Sequence, residues 1–203
     1  MYEWREMTPE KREEVLRLRR QSRVPWHSPP HYTEPGVHHY HLASTCYEHA
    51  PILGHTPGRM ADFEFRLREG FIANGNRLAA WCILPNHWHA LVFTKDLVSL
   101  LSDIGKLHGS MSFEWNREEN LAGRKCWHRC SDRRIRSDAH RLAVMNYIHH
   151  NPVKHGYVRR WEEWPFSSSA EFLEKEGRER ALTLWKDYPV GEKPVRGGMI
   201  ETG

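Results

Sequence analysis

The sequence has no long run of apolar residues, and this absence narrows the class of protein. A membrane-spanning helix needs about 18 or more consecutive apolar residues. The mean hydropathy of this chain is −0.75, and 39% of its residues are hydrophobic. The opening stretch, MYEWREMTPEKREEV, is charged throughout and lacks the apolar core of a signal peptide. We therefore expect a cytoplasmic protein.

Cysteines are also few, at four among 203 residues. Small secreted proteins that depend on disulfides carry them at a much higher density. No glycine-rich phosphate loop is present, which argues against a nucleotide-binding enzyme of that type. The four cysteines, which do not indicate a disulfide framework, are Cys46, Cys82, Cys126 and Cys130.

Positive charge is concentrated in one stretch of the chain. The formal charge of the whole chain is +4, whereas residues 123–141 hold seven Lys or Arg against two Asp, a net of +5. Trp127, His128 and His140 are interleaved with these cations, a composition that suits single-stranded nucleic acid. A solvated, protected strand edge is the alternative. The candidate DNA-binding residues, with one lysine further along, are Arg124, Lys125, Arg129, Arg133, Arg134, Arg136, Arg141 and Lys154.

Three regions are predicted along the chain. Residues 1–38 form an N-terminal extension, with a surface helix at 9–20 that Thr8 caps and a proline-rich connector at 23–36. Residues 39–160 form the main domain. Residues 161–203 are interpreted as a tail with a short helical stretch and a mobile, glycine-containing end.

The main domain alternates strand and helix patterns in a recognisable order. Ser137 or Asp138 is expected to cap the last helix and Pro152 to stop it, since proline disfavours helical geometry at the residue before it. The order β-α-β-β-α-β predicts an α+β, ferredoxin-like (RRM-like) antiparallel sheet, with an additional C-terminal helix that bears Tyr147. The predicted strands are 38–47, 77–84, 87–93 and 125–136, and the predicted helices are 57–75, 98–116 and 139–150.

The stretch LPNHWHALV, residues 84–92, places two histidines on a predicted strand. His87 and His89 are two residues apart, so both point to one face while Trp88 points to the other. Two imidazoles on one face can share a metal ion. Two solvent-exposed or hydrogen-bonded histidines are an equally simple interpretation.

A second group of residues lies in VMNYIHHNPVKHGYV, residues 144–158. Tyr147 is near the end of the last predicted helix, and His150 and Asn151 follow it by three and four residues, one turn away. A tyrosine beside a metal ligand suits attack on phosphorus, because the metal polarises a phosphoryl oxygen. The alternative is a tyrosine that packs on the sheet with Ile148.

The stretch CWHRC offers a third arrangement. On a strand, Cys126, His128 and Cys130 would share one face and could bind zinc. Structural zinc sites need four ligands, usually with two to four residues between neighbours, and the sequence shows no clear fourth ligand.

Together these motifs resemble a known family. LPNHWHALV is similar to the His-hydrophobic-His motif of HUH endonucleases. The run at 147–153, YIHHNPV, and the Trp-Pro-x-Ser-Ser run at 164–168 resemble the REP-associated tyrosine transposases, single-tyrosine HUH enzymes found in bacterial chromosomes. The resemblance extends over about residues 39–169.

The resemblance implies roles for particular residues. Tyr147 matches the nucleophile, His87 and His89 match two metal ligands, and Asn151 matches the third, with His150 as a possible substitute. The implied cofactor is Mg²⁺ or Mn²⁺. The implied reaction is cleavage and rejoining of single-stranded DNA at hairpins of repeated extragenic palindromes, through a 5′-phosphotyrosine. A monomer in contact with the nucleoid is expected rather than a dimer.

Two other functions remain open from the sequence. The first is a non-catalytic module that binds DNA or RNA hairpins on the same scaffold. The second is a zinc hydrolase that uses the two histidines. The residues flanking the pair are Asn86 and Ala90, so the carboxylate that such a hydrolase needs as general base is missing there.

Overall fold

The computed structural model describes residues 36–190, together with Thr8, Glu10 and Glu13. The chain divides into the units Met1–Tyr32 and Thr33–Gly203, and the sheet belongs to the second. The predicted N-terminal helix, apart from those isolated positions, lies outside the described residues. The same holds for the proline-rich connector up to residue 35 and for residues 191–203 of the predicted tail.

Four strands form one antiparallel sheet in the order β2-β3-β1-β4. The predicted succession β-α-β-β-α-β, followed by the helix that bears Tyr147, is confirmed. The elements are β1 (His38–Thr45), α1 (Pro57–Ala73), β2 (Arg77–Leu84), β3 (His87–Thr94), α2 (Leu97–Glu118), β4 (Ser131–Arg134), α3 (Asp138–Lys154), α4 (Ser169–Glu176) and α5 (Arg178–Asp187).

All four cysteines are free thiols. Within the described residues, no helix combines the length and the apolar character that crossing a membrane would require.

Strand β3 lies between β1 and β2, and its two faces enter different cores. Trp88 is fully buried in the core that includes Phe63 of α1 and Met111 of α2. Leu91 points the other way and belongs to a core with Ile148 of α3 and other residues of the C-terminal half. Because strand side chains alternate between faces, His87 and His89 lie on the α3 side, and Trp88 turns away from them as expected.

The fourth strand is shorter than predicted. Regular pairing with β1 covers only Ser131–Arg134, so the expected strand at 125–136 is wrong over its first half. Trp127 is buried and stacks on His108 of α2, with ring centroids 4.0 Å apart. Since Cys126 is buried as well, two consecutive side chains point inward, which the alternation of a strand does not allow.

Helix α3 continues through Pro152, so the expectation that this proline stops it is wrong. The helix ends instead at Lys154, and two residues later Gly156 has a left-handed φ of 74°. The amide of Gly156 donates to the carbonyl of Val153, and the amide of Tyr157 donates to that of Pro152. These two bonds are the Schellman pattern of a helix end. The predicted cap is confirmed, because the hydroxyl of Ser137 accepts from an amide of the first turn.

The chain after residue 160 is part of the second core rather than a tail. Trp161, Ala181 and Trp185 are buried there, and Trp185 stacks on Phe172 with ring centroids 4.6 Å apart. Asn146 of α3 donates to the carbonyl of Trp185. The interpretation of residues 161–203 as a tail is therefore corrected for residues 161–187, which fold as a short 3₁₀ turn and helices α4 and α5.

Burial of His108 makes stability depend on pH. The indole N–H of Trp88 donates to Nε2 of His108 at 3.1 Å, and burial lowers the pKa of His108 from 6.5 to about 3. The unfolded chain takes up a proton as the pH falls through 6.5, whereas the folded chain does not until about pH 3. Stability is therefore lost as the pH falls across this window.

We expect a His108→Gln variant, which keeps an acceptor for Trp88 but cannot titrate, to lose less stability in acid. Well below pH 6.5, the free energy of unfolding of the unchanged chain should fall more steeply than that of the variant, by about 1.4 kcal/mol per pH unit. Urea unfolding at several pH values between 7.5 and 5 measures both slopes. Parallel slopes would show that His108 is protonated in the folded protein.

Candidate active site

The sheet brings both histidines of the predicted pair against helix α3. The ring centroids of His89 and Tyr147 are 5.3 Å apart, and those of His87 and His89 are 5.1 Å apart. Nε2 of His87 lies 3.0 Å from Oδ1 of Asn151. The structure thus gathers Tyr147, His87, His89 and Asn151 at one place.

His150 points away from this group. Its Nδ1 donates to the carbonyl of Asn146 at 3.2 Å, and its ring contacts Trp161 and Trp185 of the second core. Asn151, by contrast, is fully buried and contacts His87. The structure therefore places Asn151, rather than the suggested substitute His150, beside the histidine pair.

The imidazoles of the pair are held in the neutral form. Burial lowers the pKa of His87 to about 4. Burial, and then the neighbouring His41, hold the pKa of His89 well below its ordinary value. Neutral imidazole is the form that binds metal ions.

The donors of this group fit a divalent cation. Oδ1 of Asn151 and Nε2 of His87 converge to 3.0 Å. Nδ2 of Asn151 is buried and finds no hydrogen-bond partner among residues 36–190. Because an amide N–H donates and cannot bind a cation, this unpaired atom is no argument for a metal ion, and the fit rests on the amide oxygen and the two imidazoles. Two imidazoles and one amide oxygen are suitable donors for Mn²⁺ or Mg²⁺.

His41 of β1 completes the group, and the sequence reasoning missed it. Its Nε2 lies 3.2 Å from Nδ1 of His89, and its ring centroid is 5.9 Å from that of Tyr147. Burial, and then the charge of Arg133, lower the pKa of His41 to about 4. The signal was the alternation in HHYHLAST, but only the pairing of β1 with β3 shows which histidine faces His89.

The predicted DNA-binding residues differ in how free their charges are. Arg124 is already engaged, because its guanidinium donates to Glu119 at 2.8 Å and to Asn116 at 2.9 Å. Arg133 is exposed and pairs in register with His41, so it borders the site. Nζ of Lys154 lies 5.0 Å from the ring centroid of Tyr147.

The other predicted DNA-binding residues also differ in how far their charges are engaged. Arg129 and Arg136 are exposed, Arg134 contacts His38, and Arg141 pairs with Asp138. Nζ of Lys125 lies 4.6 Å from the ring centroid of Tyr47.

No zinc site forms at CWHRC in the described part of the chain. Between residues 36 and 190, no cluster of three or more His, Cys, Asp or Glu side chains is placed to hold a metal ion. Cys126 is buried next to Asn116, whereas Cys130 is half-buried further along. The shortened strand removes the shared face on which this alternative depended.

Comparison with known proteins finds the same resemblance as the motifs. A Haemophilus influenzae protein named "Putative REP-associated tyrosine transposase" is 31% identical over 108 residues, which cover 44% of this chain and 56% of the relative. The solved structure of a REP-associated tyrosine transposase bound to a REP hairpin superposes with a TM-score of 0.57. It is 21% identical, and the match covers 82% of this chain and 92% of that one.

The predicted resemblance to REP-associated tyrosine transposases is confirmed. The sequence match spans little more than half the length of the Haemophilus influenzae relative. The structural match shows that the fold is the same. No protein-family model matches the chain.

The turn before His87 depends on a close approach of two backbones. The amide of Gly54 donates to the carbonyl of Pro85 at 2.8 Å. A Cβ atom at position 54 would lie 2.7 Å from Cα of Pro85, closer than side-chain atoms approach in real proteins. Gly54 therefore fixes the position of the turn from which β3 and its histidines start.

We expect Gly54→Ala to lower the free energy of unfolding by about 1–3 kcal/mol, because the methyl group must displace the turn. Gly70→Ala on α1 is a matched control, since nothing lies within 4 Å of a Cβ there. That change should stabilise the helix by roughly 0.5–1 kcal/mol. Urea unfolding measures both. If Gly54→Ala and the unchanged chain are equally stable, the turn at Pro85 can move to accommodate the methyl group without loss of stability.

Proposed function

We propose that this protein is a metal-dependent single-stranded DNA endonuclease and strand transferase that acts on hairpin-forming repeated palindromic DNA. The observation that carries the proposal is the convergence of Tyr147, His87, His89 and Asn151 on one face of the sheet. The similarity to REP-associated tyrosine transposases, one of them bound to a REP hairpin, supports the choice of substrate.

In this proposal Tyr147 is the nucleophile. Its phenolic oxygen attacks the scissile phosphorus and loses its proton, while the bond from phosphorus to the 3′ oxygen breaks and that oxygen gains a proton. The products are a 5′-phosphotyrosine and a free 3′-hydroxyl. The reverse attack by a 3′-hydroxyl rejoins strands and restores the phenol. The energy of the phosphodiester is kept in the covalent link, so no nucleotide cofactor is needed.

His87, His89 and Asn151 would hold the divalent cation, Mg²⁺ or Mn²⁺. When bound, the cation supplies Lewis-acid polarisation of a phosphoryl oxygen. All three side chains are uncharged donors, because burial keeps the pKa of both imidazoles low. The negative phosphate of the DNA would therefore strengthen binding of the cation, as substrate phosphates do in many magnesium sites.

The chain's own cations serve the DNA backbone. Lys154 lies over the ring of Tyr147, where its ammonium group can meet a phosphate in reach of the nucleophile. Arg133 lies on the adjoining strand β4 with its side chain exposed. These positions favour a strand of DNA that passes over α3 towards the basic segment, residues 123–141.

A Tyr147→Phe variant should bind a hairpin oligonucleotide but form no covalent adduct, because only the attacking oxygen is lost. Tyr157→Phe, ten residues later on the exposed surface, is the matched control and should form the adduct. A hairpin labelled at its 3′ end, incubated with Mn²⁺ and run on a denaturing gel, reveals the adduct. An adduct with Tyr147→Phe would exclude this residue as the nucleophile.

The same assay separates catalysis from binding alone. His87→Ala combined with His89→Ala should remove adduct formation while the hairpin still binds. If the unchanged chain binds the hairpin but forms no adduct with Mg²⁺ or with Mn²⁺, the non-catalytic hairpin-binding function is correct instead.

Two arginines of the basic segment should behave differently in DNA binding. Arg133→Ala should reduce the slope of log affinity against log salt by about 1, because one phosphate contact is lost. Arg124→Ala should leave that slope unchanged and lower stability by about 1–3 kcal/mol, because it breaks charged hydrogen bonds within the protein. Fluorescence anisotropy at several salt concentrations measures the slope. An unchanged slope for Arg133→Ala would place the DNA elsewhere.

A further inference from the structure

Asn86 occupies the tight turn between β2 and β3, directly before His87, and its backbone is held from both sides. Its carbonyl accepts from the amide of Cys46 at 2.8 Å. The preceding Pro85 accepts from Gly54 at the same distance. These two hydrogen bonds fix the backbone of the turn from which the side chain of Asn86 extends.

The side-chain amide of Asn86 has one favourable orientation. Nδ2 donates to the carbonyl of His49 at 3.2 Å, and Oδ1 lies 2.7 Å from Nδ1 of His87. If the amide were turned over, its oxygen would face the carbonyl oxygen of His49, and two acceptors would oppose each other. The hydrogen-bond partners thus define which end is oxygen.

The carbonyl that holds Asn86 belongs to a strained turn. Glu48 and His49 both adopt left-handed backbone conformations, with φ of 56° and 55°. Such a conformation costs about 1–3 kcal/mol for a residue other than glycine, and it persists where the surrounding structure requires it. Here the turn brings the His49 carbonyl to the amide of Asn86.

The orientation of Asn86 determines where His87 carries its proton. The oxygen of Asn86 can only accept, so Nδ1 of His87 must be the donor. A neutral imidazole has one N–H, and Nε2 is therefore left with a free lone pair. That nitrogen lies 3.0 Å from Oδ1 of Asn151, so two acceptors face each other there. A bound cation would satisfy both lone pairs, and without a cation the Asn151 amide, turned over, would donate its otherwise unpartnered Nδ2 to Nε2.

We propose that Asn86 is a positioning residue that locks His87 in the tautomer with Nδ1 protonated, so that the lone pair of Nε2 faces the cation site. This inference rests on the proposed function for the presence of a cation. Histidines that bind metals usually donate their other N–H to an oxygen, and loss of that partner typically weakens metal binding about 10- to 100-fold. Asn86 supplies this oxygen within the motif itself.

The test compares three variants in the absence of DNA. Asn86→Ala removes the acceptor, whereas Asn86→Asp retains an oxygen for Nδ1 of His87. Asn74→Ala is the matched control, because Asn74 also donates to a backbone carbonyl, that of Gly70 at 3.0 Å, in an exposed turn of the same chain. The dissociation constant of Mn²⁺ is measured by electron paramagnetic resonance, and the tautomer of His87 by ¹⁵N NMR of the metal-free protein.

We expect the dissociation constant for Mn²⁺ to rise about 10- to 100-fold in Asn86→Ala, while Asn74→Ala stays close to the unchanged chain. Asn86→Asp should lie between them, because its carboxylate accepts from Nδ1 of His87 but opposes the carbonyl of His49. In the metal-free unchanged chain, the NMR signals of His87 should show Nδ1 protonated and Nε2 bare. In Asn86→Ala they should show a mixture of tautomers. Near-ultraviolet circular dichroism of the tryptophans verifies that the variants are folded.

Two outcomes would overturn the proposal. The first is a His87 tautomer with Nε2 protonated in the unchanged chain, which decides the matter even if Asn86→Ala does not fold. The second is equal Mn²⁺ binding by Asn86→Ala and the unchanged chain. Failure of the proposed function looks different: the unchanged chain would bind no Mn²⁺ and form no DNA adduct, whereas the NMR result for Asn86 would stand by itself.

Discussion

The alternation of side chains along strand β3 is the constraint on which the rest of the structure depends. Trp88 is in one core, and its neighbours His87 and His89 face helix α3 on the opposite side. A shift of one residue in the pairing of β3 would put an indole into the site and two imidazoles into the apolar core. The energetic cost of that exchange is large, so the packing that folds the sheet also determines which residues meet Tyr147.

The sequence predicted the features that depend on local patterns. The period-2 pattern of β3 identified the two faces, and the cap at Ser137 marked the start of α3. It could not predict features that depend on distant contacts. Trp127 is buried against His108, and β4 begins only at Ser131. Helix α3 runs through Pro152, next to the buried Asn151 that contacts His87.

The candidate site shows the same division. The four side chains singled out by their motifs lie together because β3 packs against α3, while each motif fixes only the spacing of its own residues on the strand or the helix. The supporting residues His41 and Asn86 were missed, since each acts through a geometry that spacing does not encode. His41 reaches His89 only through the register of β1 against β3, and Asn86 reaches His87 only through the shape of a turn. Supporting residues of this kind are identified from the hydrogen bonds that the folded structure shows.

The burial of Trp127 has a consequence for the cations on either side of it. Its ring is clamped in the first core, the carbonyl of Cys126 accepts from Tyr47, and the amide of His128 donates to Thr45. The backbone between Lys125 and Arg129 thus loses its conformational freedom when the protein folds. A nucleic acid strand that meets these side chains need not order a loose loop, so less entropy opposes its binding. The buried ring of Trp127 and these two backbone hydrogen bonds thus preorganise residues 125–129.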